Sequence, residues 1–371
     1  MAASEVPIID LGEHFGDVES ELIDAFIRVG RSGTYVLGDE LVTFESEVAD
    51  FLGAAHVVGV ANATEGIELC LRGAGIGSGN KVLAPDNTFV GTFGAIVAVG
   101  AEPVFGDIAE DFNLKMPSEE VLSSVDAVIP VHLYGRPYDM CSLKKVCEST
   151  GTLVVEDVAQ AFGSKCYGAF VGSDSKFAVF SLHPLKNFHV FGDGGLITTN
   201  DSSTYEWLTR ARNHGLRDRD NIAFCGRNSR LHELQAALGR VMLRHFSRFQ
   251  SRVNEIERYY RENIRLDGLT MPPSDCSKYS SNWHNFVIRM PSMQVRDQLK
   301  KYLEGRSVDV KIRYPFVVSD QPAYSRLGFK ATDYENRAIQ INQTMLSLPI
   351  FYGMSDAQVD KVVEAVNHFR H

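Results

Sequence analysis

The sequence has no Cys-x-x-Cys pair and no His/Cys spacing of the kind that holds zinc, although it contains six cysteines, Cys70, Cys141, Cys147, Cys166, Cys225 and Cys276. They are read as free thiols, and with no signal peptide evident the expected compartment is a reducing cytoplasm. Long apolar runs are also missing. Stretches such as Ala127–Val131 fall far short of the ~20 residues that a spanning helix needs, so no membrane partner is expected. Basic residues are in deficit, 37 against 47 acidic ones for a net charge of −10, which argues against a general nucleic-acid surface. An anionic ligand must therefore be met by local groups. No GxxxxGK[ST] loop occurs. Gly73, Gly75, Gly77 and Gly79 come at every second position, whereas a dinucleotide fingerprint needs glycines at positions one, three and six. They also precede a strand-like stretch, Lys81–Ala84, rather than a helix, so both nucleotide loops are excluded. No internal repeat and no low-complexity tract is present.

What is there is an ordinary globular composition, 44% hydrophobic and 23% charged over 371 residues, enough for a large core and two lobes. Leu22, Ala25, Phe26 and Val29 recur at helical spacing, and so do Phe44, Val48, Phe51 and Leu52, with a glycine-bounded loop, Gly33–Gly38, between the two sets. Val57–Val60 reads as a short buried strand. It runs through Asn62-Ala63-Thr64-Glu65 into a helix with Ile67, Cys70, Leu71 and Ala74 on its apolar side. Asn62 or Thr64 can cap that helix. Such a helix start offers free N–H groups and a dipole to an anion.

Strand and helix patterns then alternate: a strand at 82–85, a helix from Phe89 to Ala98, strands at Glu102–Phe105 and Ala127–Leu133, a helix at Ser142–Ser149, and a strand from Leu153 to Asp157. This rhythm predicts a doubly wound α/β sheet with ligands at the carboxyl ends of its strands. From about residue 245 the character changes to a long helix (Phe246–Tyr260), a strand (Asn285–Arg289), a helix (Arg296–Leu303), a strand (Val308–Ile312) and a closing helix (Asp356–Phe369). The expected division is a large domain over 1–244 and a smaller α+β domain over 245–371.

Chemistry gathers around Lys186. The strand-like Lys176–Phe180 leads into Ser181–Phe188, and a turn, Gly192-Asp193-Gly194-Gly195, leads out into Leu196–Thr199. Pro184, two residues before the lysine, argues against a helix interior and puts Lys186 on a loop. Asp157 ends a strand upstream. A buried aspartate opposite a loop lysine can be a structural ion pair. The alternative is a pyridoxal phosphate site. There the lysine forms a Schiff base, the aspartate keeps the ring nitrogen protonated, a hydroxyl and a helix start take the phosphate, and an aromatic face covers the ring. Ser181, Thr64-Glu65 and Phe89 supply those last parts.

Taken together, Gly33–Gly38 with Phe44-Glu45, Asn62-Ala63-Thr64-Glu65, Asn87-Thr88-Phe89, Val131-His132-Leu133-Tyr134-Gly135, Glu156-Asp157-Val158-Ala159-Gln160-Ala161, Phe180-Ser181 through Lys186-Asn187, Gly192–Gly195 and Asn228-Ser229-Arg230-Leu231 run in one order over nearly the whole chain. In this the sequence resembles the DegT/DnrJ/EryC1/StrS family of pyridoxal-phosphate-dependent sugar aminotransferases, with the type I aspartate aminotransferase fold. The resemblance implies a large domain with a mixed, mostly parallel sheet flanked by helices. It implies that Lys186 bonds the cofactor, Asp157 meets the ring nitrogen, Gln160 lies near the phenolic oxygen and Phe89 stacks on the ring. Thr64, the Glu65 amide and Ser181 would hold the phosphate. Asn228 would reach the cofactor phosphate of a partner subunit, and the Gly33–Gly38 loop with Tyr35 would also serve the partner, so a homodimer with shared sites is implied. For Asn228 a helix cap over Leu231–Leu243 is a second reading. The implied substrates are L-glutamate and a nucleotide-linked keto-sugar. Asp193 in the glycine turn leans towards a 3-keto sugar.

Two departures from the family stand out. Relatives often read Tyr-Pro-x-Pro-x-His where this chain has Tyr314-Pro315-Phe316-Val317-Val318-Ser319, and Ala63 replaces a common glycine. His183 is read as a packed or capping residue. Arg217 and Arg219 could meet a pyrophosphate, but they alternate with Asp218 and Asp220 as a solvated turn would. A dehydratase or a regulatory homologue on the same scaffold are the alternatives. Lys186 and the intact set of cofactor-facing residues weigh against them.

Overall fold

The computed structural model describes residues 5–370. Its centre is a run of short apolar strands: β1 (His56–Val60), β2 (Lys81–Pro85), β3 (Glu102–Gly106), β4 (Ala127–Val128), β5 (Leu153–Val154) and β6 (Glu156–Asp157). Strand β2 lies between β3 and β4. Strand β5 lies outside β4 and a late strand, Phe329–Lys330, outside β3, all in parallel. The chain then changes partners within a single extended stretch. Val155 N donates to Val128 O at 3.0 Å, whereas Glu156 N donates to Phe177 O at 2.9 Å. Strand β6 therefore pairs in parallel with Ala178–Ser181, which pairs antiparallel with Gly195–Thr199, and that in turn with β1. The two sheets meet at Val155 and together form the mixed, mostly parallel layer expected.

The strands are buried along almost their whole length, as a sheet covered on both faces requires. Helices α1 (Leu11–Gly16), α2 (Glu19–Ser32), α3 (Asp39–Leu52), α4 (Ala63–Gly73) and α5 (Val90–Ala98) follow in the first hundred residues. Leu22, Ala25 and Val29 of α2 and Phe44, Val48 and Leu52 of α3 pack with Phe162, Phe180 and Phe188 in one core. Phe26, at the same helical spacing, is 59% exposed and sits beside exposed Ile23 and Ile27. A second core gathers Tyr260, Trp283, Phe286, Leu303, Leu346 and Val362. The helix Glu233–Asn263 feeds both, with Ala237 and Phe246 in the first and Ile256 and Tyr260 in the second. It runs unbroken through 244–245.

Two expected strands are shorter than their apolar runs. After Pro130, which has no N–H to donate, the chain turns into a 3-10 turn at Leu133–Gly135. Around 308–312 the backbone bridges to Val6 at Val308 and to Ser347 at Lys311, so no continuous ladder forms.

The ends of β2 and β3 carry two buried carboxylates that moor the returning C-terminal chain. Asp86 accepts from Ser319 N (2.7 Å), Ser319 Oγ (2.6 Å) and Tyr334 Oη (2.7 Å). Asp107 accepts from the amides of Glu335, Arg337 and Ala338 and so closes the start of the helix Arg337–Thr344. These anchors fix the 313–336 segment over the carboxyl edge of the sheet. Among the described residues no helix is long and apolar enough to cross a membrane.

Candidate active site

A cavity of about 930 Å³ opens at that edge. Of the residues singled out from the sequence, Thr64, Glu65, Phe89, Asp157, Gln160, Ser181 and Lys186 line it, and so do His183 and Asp193. Asn228, Arg217 and Arg219 do not.

Lys186 closes a tight turn, its N–H donating to His183 O at 2.9 Å. Pro184 takes the second position, where its fixed φ suits such a turn. The loop is clamped where Leu182 N donates to Gly194 O and Val190 N to Leu182 O, both at 2.9 Å. The cavity walls shield the Lys186 amine from water and lower its pKa to about 8; Asp157 opposes the shift and Arg313 adds to it. His183 is exposed, and its Nδ1 accepts from Leu185 N at 3.2 Å, a turn-closing role.

Asp157 and Glu156 stand side by side on β6 with different partners, as alternation along a strand dictates. Asp157 accepts from Thr92 Oγ1 at 2.9 Å and from Ala159 N at 3.0 Å. Burial pushes its carboxyl up, while these donors and the Lys186 charge pull it down. Glu156 accepts from Gly172 N at 2.8 Å, from Ser175 Oγ and from His132 Nε2 at 2.9 Å. Tyr138 N donates to His132 Nδ1 at 2.9 Å, so the imidazole proton sits on Nε2. Burial raises the Glu156 carboxyl, but His132 and Ser175 outweigh it and hold it below the usual range.

The helix start is built for an anion, and in this structure its first three amides differ in what they meet. The Glu65 amide donates to Asn62 Oδ1 at 2.9 Å, since Asn62 is the cap. The amides of Ala63 and Thr64 have no acceptor among the described residues and are the free donors. Glycines make room here. A Cβ on Gly195 would stand 2.6 Å from Asn62 C and 2.9 Å from Ala63 N, and one on Gly91 would stand 2.5 Å from Thr64 Oγ1. Phe89, the residue before α5, is 58% exposed at the opening. Gln160 is engaged at both ends: Oε1 accepts from Tyr134 N and Nε2 donates to Tyr314 Oη, each at 2.9 Å. Exposed Asn228 bridges to Asn213, four residues before the N-cap His232, and so does not cap the Glu233–Asn263 helix.

Of three lining residues that arrive from the C-terminal part, His284 and Arg313 had no sequence signal, while Tyr314 opens the segment that departs from the family pattern. Asn187, next to the lysine, donates through Nδ2 to Asn282 O at 2.7 Å, so its Oδ1 accepts from His284 Nδ1 at 3.1 Å. Burial, helped by Lys186 and Arg313, drives the His284 pKa well below that of an ordinary histidine. Burial pushes the Tyr314 phenol up to about 12. Among the described residues no group of three or more His, Cys, Asp or Glu side chains is placed to hold a metal.

A loop lysine of lowered basicity, an aspartate on a strand end and a helix start with free amides, all on one cavity of an α/β sheet, define a type I aminotransferase fold. Comparison agrees. Residues 17–367 match the DegT/DnrJ/EryC1/StrS aminotransferase family, and the chain belongs to that family. It is 35% identical over 98% of its length to the dTDP-3-amino-3,4,6-trideoxy-α-D-glucose transaminase of Streptomyces venezuelae, covering 96% of that protein. It is 36% identical over 98% of its length to the dTDP-3-amino-3,6-dideoxy-α-D-galactopyranose transaminase of Aneurinibacillus thermoaerophilus, covering 99% of it. The crystal structure of DesV from S. venezuelae superposes with a TM-score of 0.92 at 34% identity, over 99% of this chain and 98% of that one.

Proposed function

We propose that the protein is a pyridoxal-phosphate-dependent aminotransferase that moves an amino group from L-glutamate to a nucleotide-linked 3-keto sugar. The observation that carries this reading is that Lys186 and Asp157 line one cavity together with a helix start whose amides are unpaired. The relatives named for 3-amino sugars support the choice of carbon, as does Asp193 in the glycine turn. The donor set fits the cofactor. The Ala63 and Thr64 amides, with the Thr64 and Ser181 hydroxyls, suit a phosphate. The missing Cβ atoms of Gly91 and Gly195 keep that cradle open.

When bound, the cofactor supplies a carbonyl that accepts the amino group and a ring that takes up the electron pair left at the donor carbon. The residues do the rest. Asp157, buried and hydrogen-bonded on both oxygens, holds a proton on the ring nitrogen. Lys186, with its amine near pKa 8, takes the proton from the donor Cα and can return it to a neighbouring atom. Phe89 would, in this reading, offer a face to the ring and Gln160 would lie near its phenolic oxygen. In this reading the active unit is a homodimer, Asn228 reaching the partner's phosphate site, and exposed Phe26, Tyr35 and Val42 supply apolar surface for the contact.

The test is purified protein with L-glutamate, watching 2-oxoglutarate form and the cofactor absorbance change, followed by a panel of nucleotide keto-sugars with product mass. Lys186→Ala should lose both signals and keep its fold. Normal turnover by that variant, or no 2-oxoglutarate from the wild type, sinks the reading.

A further inference from the structure

Among the described residues Arg313 is the one arginine on the cavity wall, and it has no hydrogen bond or ion pair with any of them. Its Nε is buried without an acceptor. Other sheltered arginines of this chain are partnered: Arg212 with Glu45, Arg240 with Glu40 and Glu47, Arg296 with Asp297. A half-buried guanidinium on a cavity wall, with its Nε shut off from water and no carboxylate beside it, is a site shaped for an anion that comes and goes.

The position narrows the choice of anion. Arg313 precedes Tyr314, whose hydroxyl is held by Gln160, three residues from Asp157. Its charge is felt by both Lys186 and His284. It therefore stands by the reacting centre. The diphosphate of a nucleotide sugar hangs from the anomeric carbon, several bonds from a keto carbon. An α-amino acid carries its carboxylate directly on the carbon that gives up the proton. Arginine matches a carboxylate with two parallel N–H groups.

We propose that Arg313 grips the α-carboxylate of the amino donor and so fixes its Cα–H towards Lys186, which makes Arg313 a specificity residue for α-amino acids over simple amines. This rests on the donor half of the function proposed above. Among the described residues no carboxylate pairs with this guanidinium, as a donor-binding role requires, since a fixed partner would compete with the donor.

The test compares wild type, Arg313→Gln and Arg313→Lys as cofactor-loaded protein. Two readouts are used: the half-reaction with L-glutamate, and calorimetric binding of 2-oxoglutarate, thymidine diphosphate and uridine diphosphate. Loss of charge-assisted contacts should lower kcat/KM for L-glutamate and weaken 2-oxoglutarate roughly 10- to 100-fold in Arg313→Gln, with partial recovery in Arg313→Lys. Binding of whichever nucleoside diphosphate the wild type takes up should stay within about threefold. Unchanged 2-oxoglutarate binding, or weakened diphosphate binding in its place, overturns the proposal while leaving the proposed reaction standing. A wild type that neither reacts with L-glutamate nor binds 2-oxoglutarate overturns both.

Discussion

Gln160 Nε2 donates to Tyr314 Oη at 2.9 Å, joining residues 154 positions apart and tying the strand-end loop that follows Asp157 to the returning C-terminal segment. The same amide accepts from Tyr134 N, so one side chain fixes three pieces of backbone around the cavity.

Tyr314→Phe should therefore cost about 1 kcal/mol in urea unfolding, the net value of one such bond. Gln160→Leu also strands the buried Tyr134 amide and should cost more, about 2 kcal/mol. Equal losses in the two variants would mean that the Tyr134 contact contributes nothing.

The lowered basicity of Lys186 has a measurable pH dependence. In cofactor-free protein, labelling of Lys186 by an amine-reactive reagent tracks the neutral amine, so it should reach half-maximum near pH 8 rather than near 10.5. Asp157 favours the protonated lysine, so Asp157→Asn should move the midpoint lower. Arg313 disfavours it, so Arg313→Gln should move it higher. Mass spectrometry of the Lys186 peptide reads all three, and a wild-type midpoint at or above pH 10 contradicts the account.

How much of this was legible in the sequence follows from where each contact lies along the chain. The lysine loop was readable because Pro184, the glycine turn and the flanking apolar runs are local signals. The α4 start was readable as an anion site because its cap and strand are adjacent. That the Glu65 amide meets Asn62 in this structure was not legible, because the choice between a side-chain cap and a phosphate is one of rotamer, which no residue pattern carries. Phe26 fits the helical spacing and is exposed all the same, because spacing reports an element's period and not what covers each of its faces. His284 and Arg313 were invisible for a different reason. Arg313 sits on a segment moored beyond it by Asp86 and Asp107, more than two hundred residues upstream, and His284 is held by Asn187, 97 positions away. Periodicity reports which face of an element is buried and says nothing of which distant segment is moored to it.

Behind the site, His132 and Glu156 offer a stability test. His132→Ala leaves the buried Glu156 carboxylate without its Nε2 donor and should cost roughly 1.5–3 kcal/mol, the range for a hydrogen bond to a charged group. The sign with pH is fixed by the direction of the shift. Glu156 is more acidic folded than unfolded, so its contribution is full above its ordinary value of 4.5 and is lost as pH falls through the lower folded value. Urea unfolding of Glu156→Gln should accordingly be less sensitive to acid than the wild type below that pH. An identical acid slope in the two proteins would show that Glu156 titrates alike in both states.

Asn228 tests whether the sites are shared. It stands exposed, outside the cavity of its own chain, on the stretch before the Glu233–Asn263 helix. If it completes the partner's phosphate site, Lys186→Ala and Asn228→Ala homodimers are both impaired for different reasons. A mixed dimer then assembles one site with both defects and one with neither. Random pairing of the two chains should restore about a quarter of the wild-type sites, because half the dimers are mixed and each carries one intact site. If Asn228 acts within its own chain, every site in the mixture keeps one defect and no activity returns. Turnover with L-glutamate after co-refolding the two variants, set against each refolded alone, separates the two arrangements, and cross-linking of the same samples shows whether mixed dimers formed.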